Sequence, residues 1–484
     1  MLKINKEEVI KYSVFVLVLI ALGQYLRLFL LVDFNNYLPI HSDEYSYYLN
    51  ALSFYETSSL RASFSLSGYG SSVLGASVHG FVYSFFYGGI AKMLTWHHAQ
   101  MVILNQIFFA VAMLFVLFQK VLSPAQRILL IALNLLFPVF LLYTFTYMQT
   151  VLHLSFALIM SVLVYRMYQT PKSKNPIYFF LGFVFLVGLF RPSWFFWMML
   201  ILPLASTRKV LFQYILLCLG GIAFSFLFIK FFAEPVPNYF SYLISLLVKG
   251  EWIHAILSFG RHFLENTYYY LTYIESSYGY TYLTIKYLIL TPILYFTWKA
   301  YLQKKPLHIA LAGIGWVNLF LLLALYDAFL WREIRILSPL FYFYSFFLVL
   351  ELKPYEQLII LVPSLMIFYK SDYLIKNIIL ERGNISYNTL VEMQKELDFL
   401  REIPTSKGFT RIIIDFDIRD NSLDVLCLPV SNYLHYPICY AAPYYYTNKP
   451  QKGEYILLRT TDNKLKKGFL KLKESPYYTL YKKE

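Results

Sequence analysis

The chain has 484 residues, 58% of them hydrophobic and only 14% charged, with a mean hydropathy of +0.52. A water-soluble globular domain carries roughly 45–50% apolar and about 25% charged residues, so this composition excludes one and indicates an α-helical polytopic membrane protein. The net charge of +14 does not point to nucleic acid, because Lys and Arg fall mostly between apolar runs, where cytoplasmic loops meet anionic headgroups.

Lys3, Lys6 and Lys11 precede an apolar run over residues 13–31. It matches the roughly 20 residues a bilayer core requires and no small-residue cleavage site follows, so it is expected to be a retained first span with a cytoplasmic N-terminus. Next comes the tetrad His41-Ser42-Asp43-Glu44. Two adjacent carboxylates at the mouth of a membrane protein are costly unless they are used. Residues 45–56 are rich in Tyr and Leu and predict an amphipathic helix lying in the interface. A carboxylate at its start suits a general base acting on a hydroxyl or an amine. It equally suits a helix start, where Ser or Asp caps and Glu favours the first turn; the two readings are compatible.

Further apolar runs cover 73–95, 100–119, 128–146, 150–168, 177–206, 210–232, 281–299, 307–326, 336–352 and 356–370, which predicts about 11–13 spans. His79 opens the stretch His79-Gly80-Phe81-Val82-Tyr83 and is either a donor to phosphate or an interfacial His satisfied by a carbonyl. The run 177–206 is interrupted by Arg191-Pro192. At about 45 Å of helix it is long for one crossing and short for two, so a pair of short helices meeting at Arg191 is expected. A cation there either faces a polar cavity and an anionic ligand or caps carbonyls freed by the kink.

Basic clusters set the orientation: Lys120 with Arg127, Arg166 with Lys172 and Lys174, Arg208 with Lys209, and Lys299 with Lys304 and Lys305 read as cytoplasmic. Loops 33–72 and 233–280 and the tail 371–484 then lie outside. The span parity demands one re-entrant or split segment, either between Gly70 and Lys120 or at Arg191. Outer loop 233–280 offers Arg261 and His262 as substrate contacts. Late in the chain, Trp331-Arg332-Glu333-Ile334-Arg335 supplies two guanidinium forks that match phosphate oxygens, or a surface ion-pair cluster with Glu333. Residues 1–370 are thus expected to be the membrane domain and 371–484 a small extracytoplasmic α/β domain, with a polar helix near 388–401 and strands near 411–416 and 455–459. Its Cys427 and Cys439 are either a disulfide or free thiols, and Cys218 is a packing residue. No metal-ligand spacing is found. His97 and His98 are adjacent and point apart on a helix, and no P-loop, dinucleotide fingerprint, nucleophile elbow or HExxH occurs.

In their order, four of these features resemble the GT-C superfamily of membrane glycosyltransferases, in particular the branch of protein O-mannosyltransferases and the lipid A aminoarabinose transferase. They are Asp43-Glu44 in the first outer loop, His79–Tyr83 at the next run, Arg191-Pro192, and Arg335-Ile336-Leu337-Ser338-Pro339 as an Arg-x-x-x-Pro element. The likeness spans most of 1–370. Two departures are the missing Pro after His79 and Gln149, in Thr146–Thr150, where many relatives have an acidic residue. The resemblance implies a transferase of the plasma or inner membrane using a polyprenyl-phosphate-linked sugar donor and a glycan, lipid or protein acceptor. Asp43, with Glu44, would be catalytic, and Arg332, Arg335 and Arg191 would bind the donor phosphate. It implies no metal and no cofactor. The alternatives are a transporter or flippase of lipid-linked saccharides, an O-antigen polymerase or ligase, and a non-catalytic envelope scaffold.

Overall fold

The computed structural model describes residues 6–32, 42–60, 80–171, 173–234, 239–272, 279–326, 334–353 and 356–369, the segments 410–414, 439–443, 452–459, 468–476 and 478–484, and a few isolated positions. In chain order the helices are α1 (Lys6–Leu31), α2 (Ser42–Thr57), α3 (Val82–Leu94), α4 (Gln100–Leu117), α5 (Pro124–Leu136), α6 (Pro138–Tyr143), α7 (Thr150–Gln169) and α8 (Lys174–Phe190). A 3₁₀ helix (Pro192–Leu204) follows, then α9 (Arg208–Phe232), α10 (Tyr239–Val248), α11 (Trp252–Thr272), α12 (Gly279–Gln303), α13 (Pro306–Leu325), α14 (Ile334–Glu351) and α15 (Glu356–Tyr369). Five of these are long and apolar enough to cross a membrane: α1 over Tyr12–Leu31, α4, α7, α9 and α13. The chain is a helical multi-pass membrane protein, as its composition predicts.

The helices sort by how much of their surface is covered. On α9 only Cys218, Gly221, Ser225 and Phe228 are buried, a single stripe at helical spacing, while Leu216, Leu219 and Leu227 are more than half exposed. Those exposed side chains form lipid-facing surface, since a bilayer is as apolar as they are. By contrast α14 is covered all round: Phe341, Tyr342, Phe343, Tyr344, Phe346 and Phe347 are essentially inaccessible. It is the central strut of the bundle and packs on α5, α7 and α12. Its polar groups are satisfied inside: Asn134 Nδ2 donates to Ser345 Oγ at 3.2 Å, and the Tyr342 hydroxyl donates to the Asn134 carbonyl at 2.9 Å. Helix starts follow local chemistry. Ser123 and Gln126 make a reciprocal capping box ahead of Pro124 in α5, and Thr207 Oγ1 accepts from Val210 N at the start of α9.

Two features bear on the split or re-entrant segment expected between Gly70 and Lys120 or at Arg191. The apolar run 73–95 yields only α3, 13 residues or about 20 Å of helix, too short for a core of about 30 Å. Both of its ends are tied to one place: Tyr83 near its start donates to the Tyr147 carbonyl at 2.9 Å, and the Tyr147 hydroxyl lies 2.9 Å from the carbonyl of His98 just beyond its end. So α3 lies against α2. Gly88 makes this contact close, because a Cβ there would meet the Ala51 carbonyl oxygen at 2.6 Å and the Phe54 ring at 2.9 Å. Gly88→Ala is expected to destabilise the protein by roughly 1–3 kcal/mol through overpacking, read as a lowered melting temperature in detergent; an unchanged melt would refute the close approach.

The interruption at Arg191 is the second feature. α8 and the 3₁₀ helix are arms of one hairpin with Arg191 at the bend. The expected pair of helices is present, but the second arm is not α-helical. With a rise of about 2.0 Å per residue its 13 residues span about 26 Å, the same as the 17 residues of α8 at about 1.5 Å. Burial along it repeats every third residue: Ser193, Phe196, Met199 and Leu202 are half-buried, and Trp194, Phe195, Trp197, Met198, Leu200 and Ile201 are buried.

In the tail, the described strands β1 (Thr410–Ile414), β2 (Cys439–Pro443), β3 (Tyr455–Arg459), β4 (Phe469–Glu474) and β5 (Tyr478–Lys483) form one sheet of order β2-β1-β3-β5-β4. β1 runs parallel to β2 and β3, and β5 antiparallel to β3 and β4. The strands expected near 411–416 and 455–459 are β1 and β3. Alternate residues of β3 serve two faces: Tyr455 and Leu457 join the buried cluster of the helices, and Ile456 and Leu458 pack with Phe469 and Tyr481. The helix expected near 388–401 and the Cys427–Cys439 pairing lie outside the described residues. Cys218 is buried and free, a packing residue as expected.

Candidate active site

The site is built where the starts of α2 and α14 meet the connection 144–149 between α6 and α7. α2 begins at Ser42 and carries Asp43 and Glu44 in its first turn, so the helix-start reading holds. The neighbours decide what else the pair does. Arg335, in the first turn of α14, donates from Nη2 to Asp43 Oδ2 at 2.6 Å across 292 residues of sequence. Each side chain keeps about a fifth of its surface exposed, 22% for Arg335 and 23% for Asp43, so the pair is reachable yet largely desolvated. The other guanidinium amino group, Nη1, is 3.8 Å from Met148 Sδ, a weak acceptor. Pro339 stands four residues after Arg335 and has no N–H to give the Arg335 carbonyl, which gives the Arg-x-x-x-Pro spacing a structural sense.

Glu44 is fully buried and does different work. Its Oε1 accepts the Tyr147 backbone N–H at 3.1 Å. Tyr147 is the hub of the connection: its hydroxyl is 2.8 Å from the Tyr37 carbonyl, and its own carbonyl takes the Tyr83 hydroxyl. Asn105 Nδ2 donates to the Met148 carbonyl at 3.4 Å, and Gln106 Nε2 to the Thr144 carbonyl at 3.0 Å. The connection is therefore pinned from α2, α3 and α4. Tyr47 lies one turn beyond Asp43 and is buried. Burial pushes its hydroxyl pKa up and Asp43 adds to this, while Arg335 and Arg191 oppose it. One buried tyrosine thus feels Asp43, Arg335 and Arg191 together.

Gln149, where many relatives have an acid, stands at the N-cap position of α7 without a side-chain cap bond and is 5% exposed. Its Oε1 is 3.1 Å from His153 Nε2, and His153 Nδ1 accepts the Trp194 indole N–H at 3.1 Å. An indole only donates, so neutral His153 carries its proton on Nε2 and gives it to Gln149. The Gln149 amide nitrogen is buried with no hydrogen-bond partner. His153 and Trp194 were not found from sequence, although the spacing of four from Gln149 and three from Arg191 was a usable signal. Tyr147 offered none, because its part is played by backbone groups.

The remaining predicted residues separate. Arg261 is exposed and pairs with Glu265 at 2.8 Å. His262 stacks on Tyr239, with ring centroids 3.6 Å apart, and meets Asn266. Both belong to the α10–α11 hairpin. Arg332, Glu333 and His79 lie outside the described residues. His97 and His98 lie in the turn ahead of α4 rather than on a helix: His97 Nδ1 accepts from Ala99 N, and His98 Nδ1 meets the Tyr48 hydroxyl at 2.5 Å. Among the described residues no three His, Cys, Asp or Glu side chains gather to hold a metal ion.

No protein-family model matches the sequence, and no curated protein matches it. Solved structures do. The oligosaccharyltransferase of Archaeoglobus fulgidus, crystallised with zinc and sulfate, aligns over 92% of this chain and 68% of its own, at 12% identity and a TM-score of 0.50. Archaeal oligosaccharyltransferase AglB from Archaeoglobus fulgidus, in complex with an inhibitory peptide and a dolichol-phosphate, aligns over 93% and 69%, at 11% identity and a TM-score of 0.52. At such identity the likeness is one of fold: the chain shares the fold of these archaeal oligosaccharyltransferase structures. The neighbours are oligosaccharyltransferases rather than members of the O-mannosyl- or aminoarabinose-transferase branch.

Proposed function

We propose that this protein is a membrane glycosyltransferase that moves a sugar from a polyprenyl-phosphate-linked donor to an acceptor at the outer membrane face. The observation that carries this reading is the Asp43–Arg335 pair, a base and a phosphate-binding fork 2.6 Å apart in a scaffold of GT-C architecture. The dolichol-phosphate held by one structural neighbour supports a lipid phosphate as the leaving group, and its peptide supports a protein acceptor beside the glycan and lipid classes.

The acceptor hydroxyl or amine attacks the anomeric carbon, and its proton passes to Asp43. The bond from that carbon to the lipid phosphate oxygen breaks, and the phosphate leaves with the electron pair. Arg335, with Arg191 and Arg332, holds the charge that develops on it. A carboxylate clamped by a guanidinium is a weaker base than a free one. The arriving phosphate resolves this by drawing Arg335 toward its own oxygens and loosening the clamp as the acceptor docks. Glu44 positions the connection beside the reacting groups. A divalent cation does not fit the donor set: Asp43 is held by a guanidinium, and Gln149 stands where many relatives have a second acid. The steps above use none.

A carrier or flippase would hold its ionisable groups near mid-bilayer. Asp43, Arg191 and Arg335 all stand at helix ends, which favours chemistry at a surface. Mass spectrometry of envelope glycans, glycolipids and glycoproteins from cells with and without this protein should show one glycan or one glycan modification missing. An unchanged profile would sink the proposal in favour of a scaffold.

A further inference from the structure

A cleft lies at the other end of α14. Glu351 follows Arg335 by sixteen positions, about 24 Å along the helix. Here the end of α7, the end of the 3₁₀ helix, the start of α13 and the end of α14 enclose a cleft of about 500 Å³. Its walls include Tyr165, Tyr168, Leu204 and Phe347, and its polar groups include Gln169, Lys305, His308 and Glu351. Nothing in the transfer reaction uses them.

The charge pattern favours an anion. His308 is almost wholly buried, 3% exposed, with Nε2 2.6 Å from Glu351 Oε1. Lys299 stands 3.9 Å from the other oxygen of the same carboxylate, so the negative charge of Glu351 is met within the protein. Lys304 and Lys305, in the turn between α12 and α13, are left in excess. His308 Nδ1 is buried with no hydrogen-bond partner. The start of α13 adds donors: Lys305 precedes Pro306 and makes no side-chain cap, so the N–H groups of Leu307 and His308 lack the partner an N-cap would supply. A helix N-terminus with lysines beside it is an anion site.

The walls decide what carries the anion. Rings and a leucine at the end of an apolar bundle match a glycerol backbone and the first methylenes of a chain better than a soluble metabolite. The cleft is lined by Val121, Tyr165 and Lys305, the sequence neighbours of Lys120, Arg166 and Lys304 in the basic clusters that the positive-inside rule marks as cytoplasmic. We propose that this cleft binds the phosphate of an anionic membrane lipid, seated between Lys305, the start of α13 and His308, on the face opposite the transfer site.

The test uses the full chain in phosphatidylcholine nanodiscs doped with phosphatidylglycerol, with bound lipid read by native mass spectrometry after release into detergent. The wild type should retain phosphatidylglycerol in preference to phosphatidylcholine. Lys305 is exposed, so Lys305→Gln leaves the fold intact; it should cut the preference about fivefold, the factor expected for one lysine at an anionic surface. His308→Gln should do the same where it folds. Lys471→Gln, on the distant sheet, should change nothing. Equal retention by Lys305→Gln and wild type overturns the site. Millimolar inorganic phosphate that displaces the lipid and gives the same thermal protection alone overturns the lipid source in favour of a free phosphate.

Discussion

Asp43→Asn is expected to lower glycan transfer by roughly 10²–10⁴-fold, the usual contribution of a general base, with expression and membrane insertion unchanged. Asn keeps the shape and can still accept from Arg335, so the α2–α14 contact survives and the loss falls on proton transfer. Turnover of lipid-linked donor in membranes bearing each variant measures it. Asp43→Glu, which restores a carboxylate one methylene displaced, should recover part of the activity. Transfer that survives Asp43→Asn would remove Asp43 from the chemistry and leave it as the residue that orients Arg335. A merely structural Asp43 would instead show a lowered melting temperature with near-normal turnover of the folded fraction.

The largest effect on stability is expected at Glu44. Removing it as Glu44→Ala strands the Tyr147 N–H in a buried site and opens a void between α2 and the 144–149 connection. An unpaired buried donor costs about 1–3 kcal/mol and the missing side chain adds a cavity cost, so a total of roughly 3–5 kcal/mol is expected. Glu44→Gln keeps an acceptor for Tyr147 and should cost less than half of that. Thermal melts of the two purified variants separate the cases. If Glu44→Gln is as damaging as Glu44→Ala, the negative charge matters more than the hydrogen bond, and Glu44 joins Asp43 in the chemistry.

The membrane class, the long apolar first helix, the break at Arg191 and the alternating strands of the tail were all readable from composition and periodicity. Asp43 and Arg335 stood out because charge is expensive beside a bilayer, and the fold joins them across nearly the whole chain. What escaped was governed by geometry that periodicity does not carry. The run 73–95 looks like a span, yet Gly88 and the two tyrosine contacts at Tyr147 hold it against α2. The 3₁₀ arm after Arg191 has the same apolar composition as an α-helix, and only its three-residue burial pattern tells them apart. Gln149 read as a missing acid; in the fold it belongs to a neutral chain of hydrogen bonds through His153 to Trp194.

That three-residue pattern also governs how the segment tolerates change in length. In an α-helix one added residue turns everything beyond it by about 100°, and no small insertion restores the original face exactly in register. In a three-fold helix the rotation is about 120° per residue, so gaining or losing three residues returns Trp197, Leu200 and their neighbours to the same columns. One or two would swing the half-buried column of Phe196 and Met199 into the core. The segment can therefore lengthen or shorten in units of about 6 Å while its packing code stays unchanged.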